Sequence, residues 1–191
     1  MSGHGRNADA ARGERAERGR TAGRSSAGGG RVVVGVSGSP ASLAALRAAA
    51  EQARRGGRVL VAVLAWEPPE GEALYLRHPD PGWARHWWDE ARARLDRAFD
   101  AAFGGAPPGV TVERRVVRSR PGAALCEVAS HPDDLLVLGA RAGRRGVGQT
   151  QRHVRTHAPC AILTVPAPRP PRGFRRTLRR MTPQDFALAS H

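Results

Sequence analysis

The chain has 191 residues, room for one domain with tails, and a formal charge of +14 carried entirely by arginine, since all 31 basic residues are Arg. The missing lysine excludes a Walker A lysine, a Schiff-base lysine and a lysine nucleophile. Two cysteines, Cys126 and Cys160, suggest neither a disulfide framework nor a zinc site. The N-terminus has no apolar secretory core and no run approaches the ~18 apolar residues of a membrane span, so the cytosol is the expected compartment. A basic chain usually points to nucleic acid. Here the charge is spread: the first thirty residues hold six Arg against three acids, and the load of Ala, Gly, Pro and Arg reads as coding bias. Nucleic acid is therefore not the favoured partner.

Residues 1–30 lack Val, Ile, Leu and aromatic side chains, and are expected to be a disordered Arg- and Gly-rich tail. Next comes an alternating pattern. VVVGV (32–36) is an apolar run of the kind found in a strand buried on both faces. Residues 40–55 predict a helix with Ser39 as N-cap, Pro40 in the first position and Leu43, Leu46 and Ala50 inside, stopped by Gly56-Gly57. Residues 59–66 predict a second strand. A long loop, EPPEGEALYLRHPDPG, leads to the longest helix, 83–103, ended by Gly104-Gly105. A third strand spans 110–117 and a short helix 121–130. A fourth strand (135–138), a short helix (148–156) and a fifth strand (161–165) follow. Residues 167–191 read as a basic, Pro-rich C-terminal tail, in which Phe174, Leu178 and Met181 recur at helical spacing.

This order is β-α-β-α-β-α-β-α-β. Right-handed crossovers then give a five-stranded, doubly wound parallel sheet with helices on both faces. Ligands on such sheets bind beyond the carboxyl ends of the strands, where strand order reverses. Between the fourth strand and its helix runs a loop rich in Gly and Arg. Its Gly143, Gly146 and Gly148 free the backbone, and Arg141, Arg144, Arg145 and Arg152 offer phosphate contacts. The plainer reading is a flexible surface turn.

VVVGVSGSPASLAALRAAAEQA, VAVLAWEPP, SRPGAALCEVA and DDLLVLGAR…HAPCAILTVP together resemble the universal stress protein family, in order, over residues 31–166. The resemblance implies the strand order 3-2-1-4-5 and a dimer paired through the last strand, here Ala161–Val165. Some members of that family bind ATP and others do not. Binding members carry G-x2-G-x9-G-[ST] after the fourth strand. In this chain Gly139 matches the first glycine, Ala142 stands at the second with Gly143 one place late, and Gly148 is followed by Gln149. Eight residues separate Gly139 from Gly148, four fewer than in the motif. Ser37 replaces the aspartate that contacts the nucleotide, and Ala65 stands where members present backbone to the adenine ring.

The resemblance therefore implies a non-enzymatic regulatory or stress-response protein with a degraded nucleotide site and no certain cofactor. Its residues are Ser37, Ala65, Gly139, Arg141, Gly143, Arg144, Arg145, Gly148 and Gln149. Two alternatives stay open: a sensor that binds ATP and hydrolyses it slowly, and a nucleic-acid-associated protein acting through its Arg-rich ends. An unidentified protein partner is compatible with each.

Three further features have competing readings. His153 and His157 share a helix face but show no third metal ligand. Cys126 and Cys160 read as inert packing. Trp66, Trp83, Trp87 and Trp88 either cap the edge of the core near the long loop, or cover the strand ends as a hydrophobic lid or meet a partner.

Overall fold

A computed structural model describes residues 30–140 and 148–169. The expectations for both tails and for Arg141, Gly143, Arg144 and Arg145 lie outside the described residues.

Strands β1 (Val32–Gly35), β2 (Leu60–Trp66), β3 (Val112–Arg118), β4 (Leu135–Ala140) and β5 (Ala161–Pro166) form one sheet, ordered β3-β2-β1-β4-β5. All four pairings are parallel, with Val32 opposite both Leu60 and Leu135, Leu60 opposite Val112, and Leu135 opposite Ala161. This is the order expected from the sequence. Strand order reverses between β1 and β4.

Alternate residues of each strand feed two cores, because successive side chains point to opposite faces. On one face Val32, Val34, Leu60, Leu64 and Val137 pack under α1 (Pro40–Gly56) and α3 (Pro81–Phe103), whose Leu46, Leu95 and Phe99 are fully buried. On the other, Val33, Val61, Val63 and Leu136 pack under α4 (Pro121–Val128) and α5 (Gln149–His157), through Leu125 and Val154. Each such side chain contributes about 1.5–3 kcal/mol by leaving water.

Helix ends follow their caps. Ser39 accepts from the Ser42 amide at 3.3 Å and Pro40 opens α1. Asp80 Oδ1 accepts from the amides of Gly82 (2.8 Å) and Trp83 (3.2 Å), so α3 starts at Pro81, two residues before the expected start. Turn residues Asp-Pro-Gly disguise this cap as loop. Gly104, at φ 72°, stops α3 in the left-handed region.

Two further departures matter for the site. The expected long loop holds a helical turn, α2 (Glu72–Tyr75). Strand β4 runs two residues beyond the expected Leu138, so Gly139 sits inside a strand rather than at the start of a loop.

Candidate functional site

The carboxyl edge of the sheet has two parts. At the end of β1, Ser37 is exposed. Its backbone N–H donates to Ser42 Oγ at 3.2 Å, and Ser42 Oγ donates to the Ser39 carbonyl at 3.0 Å. The hydroxyls of Ser37 and Ser39 lie 3.1 Å apart. The three serines thus fix the turn that launches α1, which is the local job short hydroxyl side chains do. Beside this turn a depression of about 420 Å3 opens between α1 and α3, walled by Gly38, Leu43, Arg94, Arg97 and Ala98. Gly139, Gly148 and Gln149 do not line it.

Next to β1, Gly139 lies one residue before the end of β4, against the first turn of α1. A Cβ at this position would stand 2.4 Å from the Ala41 carbonyl oxygen and 2.8 Å from the Ser42 amide. Gly139 is therefore required for close backbone approach, whatever binds nearby. Gln151 Nε2 donates to the Gly139 carbonyl at 3.2 Å and ties α5 to the strand end. Gly148 caps α5 without a side-chain hydrogen bond, and Gln149 is exposed. Among the described residues no side chain caps the first amides of α5, a position that suits water or an anion.

The structure gathers Ser37, Gly139, Gly148 and Gln149 near the reversal point. Ala65 lies one strand further, paired with Val117, and its side chain packs toward the α4 face.

The ends of β2 and β3 differ. Residues 67–80 cross them as a strap. Arg118 forms a two-pronged contact with Glu72, at 3.1 and 3.2 Å. Its guanidinium lies 4.1 Å from the Tyr75 ring centre and 5.6 Å from that of Trp66. Tyr75 donates its hydroxyl to the Asp80 carbonyl at 2.9 Å. Trp66 and Tyr75 are both 8% exposed, and the buried Trp66 indole N–H has no partner among the described residues. Sequence reasoning missed this latch, because Glu72, Tyr75 and Arg118 lie in segments with no motif.

The tryptophans divide. Trp66 and Trp87 join the α1–α3 core, whereas Trp83 and Trp88 are 57% and 40% exposed. Trp83 and Trp87 stack at 6.4 Å, as their spacing on α3 requires. Of the histidines, His153 and His157 stack at 4.2 Å, and His157 Nδ1 lies 2.8 Å from the His153 carbonyl. Among the described residues no group of three or more His, Cys, Asp or Glu is placed to hold a metal.

Both cysteines are half-buried and free. Burial pushes the thiols of Cys126 and Cys160 above the usual range, which disfavours the reactive thiolate.

At the opposite, amino edge Asp134 is 2% exposed. It accepts from the Arg31 amide at 2.8 Å, from Arg31 Nη2 at 2.9 Å and from the His131 amide at 3.3 Å. Burial alone would raise this carboxyl. The hydrogen bonds from the Arg31 side chain and from the two backbones, with the Arg31 charge, outweigh burial and hold it below the usual carboxylate range. Asp134 thus anchors the start of β1 to the start of β4.

The family model described as "Universal stress protein family" matches residues 30–166. A universal stress protein of Mycobacterium tuberculosis is 32% identical over 149 residues, which cover 73% of this chain and 45% of the relative. The chain thus spans less than half the length of that curated relative. Among solved structures, a hypothetical protein studied as a test case of structural genomics shares the fold with a TM-score of 0.58 at 12% identity, over 74% of this chain and 98% of its own. A universal stress protein crystallised with cAMP gives 0.47 at 24% identity, over 73% and 98% of the two chains. Among the described residues no helix is long and apolar enough to cross a membrane. By the extent of the family match, this chain belongs to the universal stress protein family.

Proposed function

We propose that the chain is a regulatory protein of the universal stress type that catalyses no reaction itself, and that its site at the ends of β1 and β4 has lost tight nucleotide binding. Ser37 carries the reading. It offers a neutral hydroxyl, engaged with Ser39, where a carboxylate would be needed to grip a ribose hydroxyl. Losing a hydrogen bond to a charged group weakens binding by about 1.5–3 kcal/mol. The open start of α5 still suits an anion. Arg141, Arg144 and Arg145, with Gly143 freeing the backbone, supply the remaining donors in this proposal. Such contacts are unselective and screened by salt.

The assembly we propose is a homodimer through Ala161–Val165. Strand β5 is an edge of the sheet, with Ile162, Thr164 and Val165 half-buried, and an unpaired apolar edge invites a second strand. Native mass spectrometry of freshly purified protein tests both parts. The expected spectrum is a dimer without nucleotide. A mass increment of one ATP per chain would instead favour the second reading, an ATP-binding sensor. The uncapped α5 helix beside Gly139 is the observation on that side. The nucleic-acid reading rests on the Arg-rich ends, and predicts salt-dependent binding lost when both are removed.

A further inference from the structure

Among the described residues four large apolar side chains are exposed: Leu74 at 51%, Leu76 at 67%, Trp83 at 57% and Trp88 at 40%. All four fall on the strap and the first two turns of α3. Leu74, Leu76 and Trp83 lie within ten residues around the start of α3, with Trp88 on a different face of the helix, and exposed apolar groups so close in sequence are a candidate contact surface. The same stretch is acidic. Residues 67–92 hold six acids against three arginines, in a chain of net charge +14. Glu70 and Asp89 have no ionic partner within 4.0 Å among the described residues.

We propose that this patch is the docking site for the chain's own C-terminal segment, residues 174–181, bound in cis. That segment has the complementary chemistry. Phe174, Leu178 and Met181 recur at helical spacing, and Arg175, Arg176, Arg179 and Arg180 lie between them. The sheet also puts the two within reach. Strand β5 ends at Pro166 on the carboxyl edge, and the Ala167 amide donates to the Ala140 carbonyl at 2.8 Å, so the chain leaves along that edge. Helix α3 begins on the same edge, because β2 and the strap deliver the chain there. From β5 to β2 is three strand spacings, about 14 Å. The Pro-rich residues 167–173 span about 22 Å at ~3.1 Å per residue. That reach exceeds the distance to the end of β2, so residue 174 can extend to the start of α3.

The test is trypsin cleavage of the full chain after Arg175, Arg176, Arg179 and Arg180, followed by mass spectrometry. The comparison is with a tail variant, Phe174→Ser with Leu178→Ser, and a patch variant, Leu76→Ser with Trp83→Ser. Both patch residues are mostly exposed, so circular dichroism should show an unchanged fold. The expected result is cleavage about tenfold faster in each variant than in the parent, as for a segment released from a weakly closed state. Equal rates in all three proteins would overturn the proposal. So would protection that disappears on dilution, which would place the tail on a second copy.

Discussion

The two halves of the carboxyl edge share one sheet and one direction of strand but have opposite finishes. Over β2 and β3 the chain closes its own edge: Arg118 lies against Tyr75 and Trp66 and pairs with Glu72. Over β1 and β4 the described residues leave the edge open, with Ser37 exposed and Gly148 starting α5 without a side-chain cap. A doubly wound sheet offers a binding crevice where its order reverses. Whether that crevice holds anything depends on the loops. Among the described residues the side chains that seal lie on one side, and a helix start without a side-chain cap lies on the other.

The largest expected effect comes from the open side, and it concerns packing. Gly139→Val should destabilise the protein by about 3 kcal/mol or more, because Cβ would overlap backbone of α1 rather than a movable side chain. Thermal denaturation reads this. A change of Tm within error would mean that β4 and α1 separate more easily than their spacing implies.

On the sealed side Tyr75→Ala should cost about 3 kcal/mol, from lost burial, the lost hydrogen bond to Asp80 and the lost Arg118 contact. It should also shift tryptophan emission to the red as Trp66 meets water. If the emission maximum does not move, Trp66 is sealed by α3 and β3 alone.

A third effect concerns the opposite edge, which both halves depend on. The Asp134 carboxyl has a folded-state pKa below its unfolded value near 3.9, so its stabilisation is complete above that value. It is lost as pH falls through the lower, folded-state pKa. Asp134→Asn should cost about 2 kcal/mol at neutral pH and flatten the acid limb of the stability profile. An acid limb identical to that of the parent would assign acid unfolding to other carboxylates.

The smallest effect is expected from Glu72→Gln. Glu72 and Arg118 are 48% and 30% exposed at the side chain, and pairs of this kind contribute about 0–1 kcal/mol. Urea titration should find the variant within that range. A larger loss would make the ion pair, rather than the Tyr75 contact, the main fastening of the strap.

Fold and site were unequally legible in the sequence. Runs such as Val32–Val34 and Leu60–Leu64, set between helices of matching length, admit little besides a parallel sheet, and the family resemblance then implies the strand order. Long-range contacts were not legible. Nothing near Arg118 in sequence signals a carboxylate at Glu72 or a ring at Tyr75, and the turn residues around Asp80 hide a helix start. Gly139 illustrates the ambiguity of a motif glycine. Its place near the end of the fourth strand matches the first glycine of a phosphate loop, while its surroundings require it for packing against Ala41.

The most direct measurement is calorimetric titration of ATP at physiological ionic strength into the parent protein and into Ser37→Asp, which returns a carboxylate to the end of β1. The expected result is dissociation in the millimolar range for the parent, weakening further with salt, and binding tighter by about tenfold in the variant, a difference of about 1.4 kcal/mol. Micromolar affinity in the parent, unaffected by salt and not improved by the aspartate, would contradict a degraded nucleotide site.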